Sequence, residues 1–145
     1  MFGKLRRKKA DKLRTQMAIT DARLALTKAE LAAQKIKLAG QTSDIAPLQE
    51  ANVALKASRE YFGLRHAPIE ICLVQMALGD MLLKLGREQS NKTIISQAKM
   101  AYRPAITMAS LQGDEALRKD LRAKVKLVEK LLGDGPKTPS LFRAA

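Results

Sequence analysis

The only histidine and the only cysteine of this 145-residue chain, His66 and Cys72, stand six residues apart, and together they are its one pairing with nucleophilic potential. A thiolate–imidazole pair requires the two side chains within hydrogen-bond reach of each other. Across a turn and the start of a helix the two are expected to face different ways, so Cys72 reads as a small buried hydrophobe. Metal binding needs several His, Cys or carboxylate ligands converging on one point. Glu70, Asp80 and Glu88 are scattered, and no second His or Cys joins them. The chain also has no glycine-rich phosphate loop. The expectation is a non-enzymatic protein with no cofactor and no metal.

The chemistry left is charge. The net charge is +13, and it is unevenly placed. Residues 1–14 hold seven basic side chains (Lys4, Arg6, Arg7, Lys8, Lys9, Lys12 and Arg14) against Asp11, while residues 15–98 carry ten basic and eight acidic side chains and residues 99–145 carry ten and five. Both ends are basic and the middle is close to neutral. Beside Met1, Phe2 and Leu5, the seven cations suit a weak, salt-sensitive contact with an anionic membrane surface. They suit equally a nucleic-acid backbone, bound without regard to sequence because no interleaved aromatics offer a stacking platform. An acidic protein surface is the third option.

At 46% hydrophobic residues, the chain is too apolar for a disordered segment, and its wealth of Ala, Leu, Lys and Arg, with no Trp, favours helix and no sheet. A single cysteine forms no internal disulfide, which fits a reducing cytoplasm. No apolar run follows the basic start, so a secretion signal is not expected. The most apolar stretch, Ile69 to Leu85, is interrupted by Glu70, Gln75, Asp80 and Lys84 and falls short of the roughly 20 clean residues of a membrane span. The expected location is cytoplasmic, with peripheral membrane attachment as an option for the basic start.

Five helices are legible from periodicity and caps. The first runs from about Ala10 to Ala39, with Leu13, Met17, Leu24, Leu31 and Leu38 in phase. Asp44 and Pro47 open a second, to Phe62, and Gly63 closes it. Pro68 opens a third, expected to end at Leu85 with Gly86 closing it. Ser90 or Asn91 caps a fourth to Leu111, in which Pro104 predicts a kink near Met100 to Pro104. Gly113 and Asp114 lead into a fifth, to Leu132. The strict sevenfold spacing of Met17, Leu24, Leu31 and Leu38 also fits a coiled-coil dimer, but Thr20, Thr27 and Gln34 are polar where a second apolar register belongs. The expectation for this stripe is packing within the chain, and for the chain a monomer.

These helices echo one another at an offset of 47 residues. Leu31, Leu78 and Val125 fall in step, as do Leu38, Leu85 and Leu132, then Ala39, Gly86 and Gly133; Leu48 answers to Ile95, Ala51 to Ala98, Ala54 to Ala101 and Leu55 to Tyr102. Gly79 answers to Ala32, and small residues there let a partner helix approach closely. An echo of this length points to stacked helical pairs.

The stretch Pro68 to Ile106, with Gln75, Leu78-Gly79, Leu82, Leu85-Gly86-Arg87, then Ala98, Ala101-Tyr102-Arg103 and Ala105, resembles bacterial tetratricopeptide-like (TPR-like) repeats of the longer kind. The unit exceeds the usual 34 residues and also falls in the range of HEAT-type repeats. The resemblance implies an all-α solenoid of antiparallel helical hairpins, about two and a half repeats over residues 15–133, between a basic arm (1–14) and a flexible tail (134–145). It also implies a protein-interaction scaffold whose concave face comes from the first helix of each pair. By phase the groove would be lined by Leu26, Ala29, Ala33, Ile36, Leu73, Met76, Asp80 and Leu83, an apolar set with one acid that suits a partner's helix or extended segment and not a terminal carboxylate. The expected function is a cytoplasmic adaptor binding a partner protein, with nonspecific nucleic-acid binding through the basic ends as the alternative.

Overall fold

The computed structural model describes residues 2–133, with the side chain of Phe2 left out, and over that span the chain is all-helical. Its elements are α1 (Phe2–Thr42), α2 (Ala46–Phe62), α3 (Ile69–Glu88), α4 (Lys92–Leu111) and α5 (Glu115–Leu132). The expected flexible tail and Met1 lie outside the described residues.

Caps set most of the ends. Asp44 Oδ1 accepts from Ala46 N ahead of α2, and Gly63, at φ 76°, closes that helix by donating to Arg59 O. Asn91 Oδ1 accepts from Thr93 N and Ile94 N at the start of α4, Asp114 accepts from Leu117 N at the start of α5, and Gly133 ends α5 in the left-handed region. Each of these agrees with the sequence to within a residue. Pro68 is the cap residue before α3 instead of a member of its first turn.

Two expectations need correction. α1 begins at Phe2, not Ala10, so the basic arm is helix. Gly86 does not end α3, which continues to Glu88; the residue that turns the chain is Ser90, at φ 49°. Gly86 instead sits where the start of α4 comes closest. A β-carbon there would lie 2.7 Å from Ile95 Cγ1 and 3.0 Å from the Ile95 backbone nitrogen. Pro104 lies inside α4, as the sequence placed it.

α1 packs on α2, α3 on α4 and α4 on α5, with a second tier of contacts from α3 to α1 and α2. Partner positions run in opposite senses along the first two pairs. Lys35 meets Glu50 and Ala18 meets Tyr61, while Cys72 meets Ala105 and Gly86 meets Ile95. Small residues bring the helices together. α1 offers its core face as Ala25, Ala29, Ala32, Ile36 and Ala39, and α2 answers with Leu48, Ala51 and Leu55. In the second pair the Tyr102 ring, fully buried, lies directly over Gly79, where any β-carbon would overlap it.

The two pairs carry the same polar clasp with its direction reversed. Ser58 Oγ on α2 donates to Ala25 O on α1 at 2.6 Å, and one repeat on, Cys72 Sγ on α3 donates to Ala105 O on α4 at 3.5 Å. The Ser58 hydroxyl also reaches Ala54 O at 3.2 Å, whereas the Cys72 thiol is the weaker donor of the two.

The leucine stripe behaves differently from expectation. Leu13, Met17, Leu24, Leu31 and Leu38 are all exposed; the reading that they pack within the chain is overturned. Their spacing marks an apolar face but not its cover, and the core face of α1 is made of its alanines and Ile36. The echo positions sharpen the contrast. Leu31 is 50% exposed where Leu78 is 1%, and Leu38 is 42% exposed where Leu85 is 0%. At 3.6 residues per turn, Leu78 and Leu85 lie between Met81, which touches Gly40 of α1, and Leu82, which shares a cleft with α2. They therefore face the α1–α2 pair. The matching leucines of α1, Leu31 and Leu38, are exposed instead.

Candidate partner-binding surfaces

The eight positions proposed for a groove divide by burial. Ala29, Ile36 and Leu83 are buried in the core and hold helices together, so they are not offered to a partner. Leu26, Ala33 and Leu73 are exposed, and Met76 and Asp80 are half-buried.

Asp80 is also engaged. Its Oδ1 accepts from Tyr102 Oη at 2.5 Å and pairs with Lys124 Nζ at 3.0 Å, fastening α3 to α4 and α5. Burial, the hydrogen bond to Asp80 and that carboxylate's charge all push the Tyr102 phenol upward, so it stays a neutral donor. A residue read as the acid of a groove thus works as a strut.

A cleft that the sequence reading missed opens between α2 and α4 over α3. It encloses 560 Å³ and is lined by Leu48, Gln49, Asn52, Val53, Arg59, Leu82, Gln97, Met100 and Ala101. Leu48 and Leu82 form a buried apolar floor, whereas Val53 and Met100 stand exposed. Gln49, Asn52 and Gln97 bring amides that can both donate and accept, and Arg59 brings a guanidinium. Arg59 Nη1 donates to Gln75 Oε1, and Gln75 Nε2 donates to Ala101 O at 2.9 Å, so the buried Gln75 links α2 to α4 through α3. Desolvation lowers the Arg59 pKa against the opposing pull of Glu60. The signal in the sequence was Gln75, a long polar residue among the core positions of α3, but it gave no hint of what lay on either side.

The basic arm is the first part of α1. All seven of its cations are exposed, and every described side chain from Gly3 to Asp21 is exposed with them. Among the described residues, only Arg14 has a carboxylate near it, Asp11 at 3.9 Å, in open solvent. Of the apolar trio beside these charges, Leu5 is exposed, Met1 lies outside the described residues and the Phe2 side chain is not described.

His66 is exposed in the turn before α3, whereas Cys72 is buried and bonded to Ala105 O. Burial, with a smaller contribution from Asp114, pushes the Cys72 thiol up to about 11, far from the range of a working nucleophile. Among the described residues no three His, Cys, Asp or Glu side chains gather into a metal-binding group. No helix there is long and apolar enough to cross a membrane. No family model matches the chain, and no curated protein or solved structure matches it either.

Proposed function

We propose that this chain is a non-enzymatic interaction scaffold, a TPR-like array of stacked helical hairpins that takes a segment of a partner protein into a groove and uses its basic arm to approach an acidic surface. The observation that carries this reading is the cleft between α2 and α4, with an apolar floor and exposed Val53 and Met100 at its edge. An apolar trough edged by amides fits an extended or helical segment, whose side chains enter the trough while Gln49, Asn52 and Gln97 bond its backbone. The repeat arrangement draws support from the echoed clasp, Ser58 to Ala25 and Cys72 to Ala105, and from α3 touching both helices of the preceding pair. In this reading the groove belongs to the second helices of the pairs, whereas the sequence suggested the first and third.

A second reading, nonspecific binding of nucleic acid, is favoured by the seven exposed cations on the free part of α1. The two readings separate in one experiment. Proteins are captured from a native lysate with the full chain, with Val53→Glu/Met100→Glu and with the arm cations changed to Gln, each with and without nuclease. The scaffold reading expects a defined protein that survives nuclease and is lost from the cleft variant, whose changes at exposed positions leave helicity intact. Recovery that disappears with nuclease and with the arm variant, and that is indifferent to the cleft, would overturn it in favour of nucleic acid.

A further inference from the structure

We infer that the exposed leucine stripe of α1 is a self-association surface, on which a second copy of this chain lays its own α1 in the antiparallel sense. Leu13, Met17, Leu24, Leu31 and Leu38 run along about 37 Å of helix at 1.5 Å per residue. Apolar residues kept on a sevenfold spacing over three to four heptads match another helix of the same spacing. The stripe is also the face of α1 that corresponds to the face α3 turns toward the preceding helical pair, so its shape is already that of a helix-packing surface.

The charges choose the second copy and its direction. A parallel pair would place two arms of seven cations side by side and stack Thr20, Thr27 and Gln34 each on itself. An antiparallel pair that sets Leu38 against Leu13 of the second copy puts Leu31 against Thr20, Leu24 against Thr27 and Met17 against Gln34, so every layer of the seam has a leucine or methionine. That register sets Arg23 within one turn of Glu30 of the second copy, twice over by symmetry, and brings Lys4 to Lys9 alongside its exposed Asp44. It also covers a stretch of α1, Gly3 to Asp21, that has no buried side chain of its own. Most helical stability in proteins comes from packing an apolar face against a partner.

Light scattering of the full chain tests this. The expected mass is twice the 16.0 kDa of one chain. It should fall to a single chain in Leu24→Glu/Leu31→Glu with circular dichroism unchanged; if that variant unfolds, Leu13→Glu/Met17→Glu, on the part of α1 that has no buried side chain, replaces it. Direction is read from disulfide formation. Leu13→Cys mixed with Leu38→Cys should cross-link, and neither alone should, because like positions then lie about 37 Å apart. A wild-type chain still monomeric at about 100 µM, where any association tighter than about 10 µM would show, overturns the inference. So does a dimer that survives both glutamate variants, or cross-linking of Leu13→Cys with itself.

Discussion

The α1–α2 and α3–α4 pairs share a pattern of residues yet use it to opposite ends. The second helices agree at these core positions, with Leu48 and Ile95, Ala51 and Ala98, and Leu55 and Tyr102 buried in both pairs. The first helices do not, since Leu78 and Leu85 are core where Leu31 and Leu38 meet solvent. The polar strut differs too. Asp80 and Tyr102 bond each other in the second pair, and at the matching places in the first stand Ala33 and Leu55, which cannot. An echo in sequence therefore fixes which face of a helix is apolar, while the neighbour on that side decides whether the face becomes core or surface. α3 has a pair on each side; α1 has one on one side alone.

The largest expected effect comes from making the same change at the same repeat position. Leu78→Ala should cost about 2–5 kcal/mol in denaturant unfolding, as deletions of buried leucine do. Leu31→Ala should stay within about 0.5 kcal/mol at low protein concentration, as surface changes do. Equal losses would mean that the two first helices are packed alike and would erase the contrast. Next comes the close approach at Gly79. Gly79→Ala drives a methyl into the Tyr102 ring, an overpacking of about 1–3 kcal/mol, against which the better helix propensity of alanine returns about 1 kcal/mol. A net loss is expected, whereas the reverse change in the first pair, Ala32→Gly, should cost about 1 kcal/mol through propensity. A stabilised Gly79→Ala protein would show that the second pair packs no more closely than the first.

The smallest effect distinguishes the two clasps by pH. The Cys72 thiol is held protonated, its pKa raised from 9.0 to about 11, so the folded state retains a proton that the unfolded chain has lost. Its contribution is complete below pH 9 and disappears as the pH climbs toward 11. Ser58, the counterpart donor in the first pair, does not titrate in this range. Cys72→Ser should consequently flatten the decline in stability between pH 9 and 11, measured by thermal melts, leaving the part that the raised Tyr102 phenol contributes at higher pH. An unchanged slope would remove Cys72 from the account.

The number of helices and most of their ends were legible because capping chemistry is local. Asn91, Asp114, Gly63 and Gly133 each act within a few residues of themselves. Gly86 misled for the converse reason, since its lack of a side chain answers to Ile95 across the interface and not to its own helix end. The face of α1 was misjudged because large residues dominate a hydrophobic pattern. Ala25, Ala29, Ala32 and Ala39 carry little apolar area, but their small size permits the close approach that selects them for the core. The candidate groove was legible only in part. Periodicity placed Leu26, Ala33 and Leu73 on open surface but could not tell them from Ala29, Ile36 and Leu83, and the cleft over Gln75 depends on how α2 and α4 splay, which no stretch of sequence encodes by itself.

The free length of α1 has an electrical consequence. From Lys9 to Ala25, the first buried residue of the helix, is about 24 Å at 1.5 Å per residue. Counter-ions in a solution of physiological strength damp a field within about 8 Å. Within one chain the field of the outermost cations, Lys4 to Lys9, is thus screened from the helical body: an anion drawn to that tip of the mast does not sense the cleft of the same chain.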